Sequence, residues 1–158
     1  MTRIPAIAFA FTLLALAPAA QASPMYDAMV ARHAAANGVP EALVRRVIVR
    51  ESRYNPRAIG LGGAMGMMQI KTATARAMGY TGGPAGLLDA DVNMTYAVKY
   101  LAGAYRAAHG NHDLAVSYYA RGYYYQAKRQ GFSPYGPAVL QEPKARRASV
   151  TPAGEFVR

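Results

Sequence analysis

The chain has 158 residues, enough for one compact domain and hardly for two. It is 53% hydrophobic and 16% charged, with 18 Lys and Arg against 8 Asp and Glu, for a net charge of +10. It contains no cysteine, which excludes disulfides, thiol catalysis and a cysteine-linked lipid anchor. No long apolar run lies beyond the N-terminus, so no internal membrane span is expected.

Residues 1–22 read as a secretory signal peptide. Arg3 gives a short positive start, Ile4 to Ala17 form an apolar run broken by Pro5 and Thr12, and Ala20-Gln21-Ala22 supplies the small residues of a cleavage site. Cleavage after Ala22 predicts a periplasmic or secreted protein with no stable membrane insertion. It removes Arg3, so 17 Lys and Arg remain against 8 acids and the net charge becomes +9. A basic protein adheres to anionic polymers, whether cell-wall glycan with acidic peptides, membrane surfaces or nucleic acid. No zinc-finger, homeodomain or basic-aromatic pattern favours nucleic acid, which is not expected as a partner.

Residues 23–142 carry helical periodicity throughout, with no strand alternation and no internal repeat. The first helix is expected over about Met25 to Ala36, stopped by Asn37-Gly38. Pro40 suits the first turn of a second helix running to Arg50 or Ser52, closed by Asn55-Pro56. A loop with Gly60, Gly62, Gly63 and Gly66 follows, then a short helix from Thr72 to Met78. Thr81 to Gly86 reads as loop. Asp89 is a good N-cap for a long helix ending near Gly110, with Ala97, Leu101, Ala104 and Ala108 along one stripe. Asp91 falls in the same first turn, where it complements the helix dipole. Asp113 starts a further helix through Ala120. Residues 143–158 turn basic and polar and read as a disordered tail.

Glu51 stands out among the acids. Leu43, Val44, Val47 and Ile48 form the apolar face of its helix, and Glu51 continues that face, four residues after Val47 and three after Ile48. Arg45, Arg46 and Arg50 are expected to point elsewhere. A carboxylate in the last turn also faces the negative end of the helix dipole. Partial burial and that dipole both disfavour the charged form and raise the pKa, as a general acid requires. The bland alternative is a solvated surface glutamate, the usual fate of this residue type.

Four ordered motifs decide between the two. They are Glu51-Ser52-Arg53-Tyr54-Asn55-Pro56; Gly63-Ala64-Met65-Gly66-Met67-Met68-Gln69; Leu87-Leu88-Asp89 with Asn93, then Tyr100-Leu101; and Tyr118-Tyr119-Ala120-Arg121-Gly122. In order and spacing, from about Gly38 to Gly122, they resemble the soluble-type lytic transglycosylases of the lysozyme-like superfamily. The fourth motif departs from the family pattern Ala-Tyr-Asn-Ala-Gly: Ala120 stands for the asparagine and Arg121 for a small residue.

The resemblance implies an all-α, lysozyme-like single helical domain with a glycine-rich active-site loop. It implies cleavage of the glycosidic bond between N-acetylmuramic acid and N-acetylglucosamine in peptidoglycan, with 1,6-anhydro ends. Glu51 would be the single catalytic acid and base, and Ser52, Met68, Gln69 and Tyr119 would contact substrate. In the ungapped register Tyr119 takes the place of a tyrosine that hydrogen-bonds the catalytic glutamate in the family; a shifted register would use Tyr118 instead. Met67, Met68 and Ile70, taken one at a time, suit a plain core equally well. Asp89 and Asp91 are the places to look for a second carboxylate. His33, His109 and His112 lack metal-ligand spacing with carboxylates, so neither metal nor cofactor is expected. Partners would be peptidoglycan strands and secretion or wall-remodelling machinery. The alternatives are a goose-type lysozyme-like hydrolase using an activated water, a non-catalytic glycan-binding module, and a cationic membrane-active protein, for which the Arg45-Arg46-Arg50 face is too short.

Overall fold

The computed structural model describes residues 24–135, so the signal peptide and basic tail expected from the sequence lie outside the described residues. Six α-helices appear among them: α1 (Pro24–Asn37), α2 (Glu41–Glu51), α3 (Thr72–Ala77), α4 (Ala90–Ala107), α5 (His112–Arg121) and α6 (Tyr124–Arg129). Two short strands, β1 (Ala64–Met65) and β2 (Ile70–Lys71), pair antiparallel with Ala64 opposite Lys71 and Met65 opposite Ile70. The architecture is the all-α arrangement anticipated.

Helix α4 is the axis of the packing, in contact with α1, α3, α5 and α6. Its start is fixed by Asp89, whose Oδ1 accepts from the Val92 N–H at 2.9 Å. The stripe Ala97, Leu101, Ala104 and Ala108 is buried, and its small residues let neighbouring elements approach closely. At Gly103 an added methyl carbon would sit 2.2 Å from the Tyr123 hydroxyl, so the ring occupies the space a side chain would need. Helix α2 buries Leu43, Val44, Val47 and Ile48 completely. Each such side chain contributes roughly 1.5–3 kcal/mol of transfer free energy. Helix α1 is tied to the start of α4 by His33, whose Nε2 lies 2.6 Å from Asp91 Oδ1, and by Arg32 on the same carboxylate. Those bonds, His33 first, hold the Asp91 carboxyl below its ordinary pKa.

Three expectations need correction. Residues Pro84–Leu88 form a 3-10 turn that takes in the second half of the loop expected from Thr81 to Gly86, because Pro84 presets the first helical φ and buried Leu87 anchors the turn. The glycine loop carries the β1–β2 ladder, whose two-residue strands are too short to show alternation. Helix α5 begins earlier than Asp113, because Asn111 is its N-cap and Asn111 Oδ1 accepts from Leu114 N at 2.9 Å.

The loop is fixed from behind by one side chain. Asn93 on α4 is wholly buried; its Nδ2 donates to the carbonyls of Met65 and Leu87, each at 2.8 Å, and its Oδ1 accepts from Met68 N at 2.9 Å. Gly66 has φ +71, and a methyl carbon there would fall 2.2 Å from the Leu87 carbonyl oxygen and 2.4 Å from Asn93 Nδ2. Only glycine combines that φ with that clearance. Asn93→Leu strands three buried backbone groups at once. With about 1–3 kcal/mol lost per unsatisfied group, the unfolding free energy should fall by on the order of 3 kcal/mol or more. Urea denaturation checks this, and a loss under about 1 kcal/mol would show that another contact holds the loop.

Candidate active site

Glu51 is the last residue of α2, and the chain turns sharply after it. Arg53 (φ 53) and Tyr54 (φ 66) both adopt left-handed backbone conformations. The turn is held by Ser52, whose Oγ donates to the Met67 carbonyl at 2.6 Å and accepts from Asn55 N at 3.2 Å. The ring of Tyr54 stacks on Tyr26 at 6.2 Å between centroids, which ties the turn to α1. The end of α2 is therefore fastened directly to the glycine loop.

A groove of about 490 Å³ opens beside Glu51. Arg50 and Glu51 line it from α2. Leu61, Ala64, Gln69, Ile70 and Lys71 line it from the loop and its ladder, and Thr74 from α3. Tyr100 of α4 and the segment Tyr119 to Gly122 form the remaining wall. Among these lining residues Glu51 is the one carboxylate. Asp89 caps its helix and Asp91 is held by His33 and Arg32, and neither lines the groove.

The Glu51 side chain is 22% exposed. Burial raises its pKa above the ordinary carboxylate value, and the charge of Arg50 opposes that rise. Arg50 does not point away as anticipated: its Nε lies 3.6 Å from Glu51 Oε1. Consecutive helical residues diverge around the axis, but a guanidinium on a long stem curls back across that angle. At 3.6 Å, with the Arg50 side chain 55% exposed, the pair is loose and solvent-screened, so desolvation prevails.

The remaining anticipated residues fall into two positions. Gln69 and Tyr119 line the groove. Gln69 (φ 51) turns its amide into the loop, where Nε2 lies 3.0 Å from the carbonyls of both Ala58 and Gly66. Ser52 and Met68 stand behind the groove. The Met68 side chain is completely buried, its N–H goes to Asn93, and its carbonyl accepts from the Tyr119 hydroxyl at 2.8 Å. The hydrogen bond from Tyr119 to Glu51 that the resemblance implies is thus replaced by one to the loop. Burial, then the nearby charge of Glu51, pushes the Tyr119 phenol well above its ordinary pKa, so it remains a donor. Tyr100 and Lys71 also line the groove, where they were not expected, and so does Arg121 of the fourth motif. Tyr100 belongs to the third motif, whereas Lys71 carries no local signal.

Residues 28–132 match the family described as the Transglycosylase SLT domain, two thirds of the chain. The chain belongs to the transglycosylase SLT domain family. A stretch of 100 residues is 38% identical to the peptidoglycan transglycosylase gp16 of Escherichia phage T7, covering 61% of this chain and 8% of that protein. The chain therefore spans only a small part of that relative's length. Within this SLT domain the motif residues converge as their order suggests, on one loop and one carboxylate.

Because folding raises the Glu51 pKa, the native state holds that proton more tightly than the unfolded chain. Stability contributed by the protonated form is present below the unfolded value and is lost as pH rises through the folded pKa. Glu51→Gln should therefore unfold later than the parent at pH 7, with the gap closing towards pH 4. Thermal melts across that range test it, and a gap that widens on acidification would show that the carboxylate is stabilised in the fold.

Proposed function

We propose that this chain is a peptidoglycan lytic transglycosylase that cleaves between N-acetylmuramic acid and N-acetylglucosamine and leaves 1,6-anhydro ends. One observation carries the reading: a lone, half-buried carboxyl with a raised pKa lines a groove with no second carboxylate among its lining residues. Membership of the SLT family and the likeness to the phage transglycosylase support it. Hydrolysis by the usual route asks for two carboxylates flanking the bond, one to protonate and one to activate water or attack. A single acid suffices when the nucleophile belongs to the substrate.

In the proposed reaction, protonated Glu51 gives its proton to the glycosidic oxygen and the bond to the muramic anomeric carbon breaks. The neighbouring N-acetyl group steadies the charge that develops there. Glu51, now a carboxylate, takes the proton of the 6-hydroxyl of the same sugar, and that oxygen bonds to the anomeric carbon. No water is consumed, and Glu51 ends as it began. The attack is intramolecular, so orientation supplies much of the rate. A raised pKa suits both halves, because the group must be protonated first and basic afterwards. Export directed by residues 1–22 would bring the basic domain to its polymer in the periplasm or outside the cell.

Glu51→Gln should lower the cleavage rate about 10²–10⁴-fold, the usual range for a lost acid–base catalyst. In the parent, kcat/KM should fall as pH rises past the elevated Glu51 pKa, since the acid must start protonated. Mass spectrometry of digested sacculi reads the products. Anhydro-muropeptides that vanish in the variant support the reading; reducing ends would move the chain to the hydrolases. Binding without any product would leave a glycan-binding module.

A further inference from the structure

The groove is electrostatically one-sided. Arg50, Lys71 and Arg121 line it from three separate elements, against the single anion Glu51. Arg50 is accounted for by its contact with Glu51. Lys71 and Arg121 have no ion-pair or hydrogen-bond partner among the described residues. By contrast, Arg32, Arg45 and Arg46 each engage a carboxylate elsewhere on the surface. Unpartnered surface cations are common. These two differ in facing one cavity from two walls, β2 and the last residue of α5.

Neither cation is ion-paired with Glu51, whose partner is Arg50. Both side chains are exposed on the groove wall, open to something that enters the groove. The Lys71 ammonium passes over Gly62, 3.6 Å from where a methyl carbon would stand, so no side chain crowds it from that residue. Arg121 is one of the two residues by which the fourth motif departs from its pattern, and it is exposed.

We infer that Lys71 and Arg121 form a carboxylate-recognition subsite on the rim of the Glu51 groove, selecting glycan strands whose muramic sugars carry a free carboxylate. This rests on the peptidoglycan reading above. The sugar backbone itself offers only hydroxyl and acetamido groups, which give a cation little. Negative charge enters peptidoglycan through carboxylates, either on the lactyl group of muramic acid or along the peptide stem attached to it. A guanidinium takes a carboxylate by two parallel N–H bonds, and an ammonium adds a movable point charge.

The test measures binding in a Glu51→Gln background, so that strands stay intact, with fluorescence anisotropy of labelled, solubilised strands. Three strand types are compared: stem-bearing, amidase-stripped with only the lactyl carboxylate left, and stem-bearing with all carboxylates converted to methylamides. The Lys71→Ala/Arg121→Ala pair should weaken binding to carboxylate-bearing strands about three- to tenfold, as expected for two exposed charge pairs, and less at high salt. It should leave binding to methylamide strands unchanged, and Arg121→Lys should recover part of the loss. Weakening on stem-bearing strands alone assigns the carboxylate to the peptide; weakening on stripped strands alone assigns it to the lactyl group, which is an amide while the stem is attached; weakening on both shows that the subsite takes either carboxylate. Equal weakening on methylamide strands, or none on any strand, overturns the inference. Circular dichroism melts confirm that these exposed substitutions leave the fold in place. Product formation by the parent is scored separately, so a protein that binds carboxylates but cleaves nothing overturns the catalytic reading and not this one.

Discussion

Everything at the groove hangs on the amide of Asn93. It is buried, and its two donor hydrogens and one acceptor oxygen are all occupied by backbone groups of the glycine loop and the 3-10 turn. An aspartate could not donate and a leucine could do neither, so an amide is the residue that closes this set. A polar network in the interior stabilises only when every member is satisfied, and among the described residues no buried side-chain polar atom lacks a partner. The same short loop then receives Ser52 from the end of α2 and Tyr119 from α5, both on adjacent carbonyls, Met67 and Met68. Three helices are thereby placed against one short turn between β1 and β2, and the position of Glu51 follows from that registration.

The electrostatics of Glu51 are a compromise between two opposing effects. Burial against the helix face favours the neutral acid, while Arg50 favours the carboxylate. A tight, buried pair would have fixed the charged form and removed the acid. The long, exposed contact leaves desolvation in control while giving the carboxylate some support once it has lost its proton. Tyr119 works in the same direction from the other side: its proton is committed to the loop, so the phenol frames the groove without donating to Glu51.

Much of this is legible in the sequence because it is local. The apolar faces of α2 and α4 repeat at helical spacing, Asp89 announces its helix, and the spacing from Val47 and Ile48 alone puts Glu51 at the end of a buried face. What escapes a sequence reading is either too short or too long in range. The strands of two residues have no period to detect, and α6 is a six-residue helix in a tyrosine-rich run. Asn93 belongs to a motif, but its work is done across 25 and 28 residues of chain, at Met68 and Met65. The curl of Arg50 back onto Glu51 is a choice of rotamer, which no pattern of residue types encodes. Met67 and Met68 are wholly core, and the Met68 contribution to the groove passes through its backbone.

Four residues other than glycine adopt positive φ among the described residues; Arg53 and Tyr54 lie in the turn just after Glu51, and Gln69 lines the groove. At these three positions the local preferences of the chain conflict with its fold, and the conflict is resolved by Ser52, the Tyr26–Tyr54 stack and the Gln69 amide. Frustration is thus concentrated where Glu51 is aimed. Selection for thermostability alone would exchange these residues for glycine or asparagine, gaining backbone ease while discarding the side chains that fix the turn. The side chains at these positions thus secure the placement of one carboxyl at the expense of backbone ease.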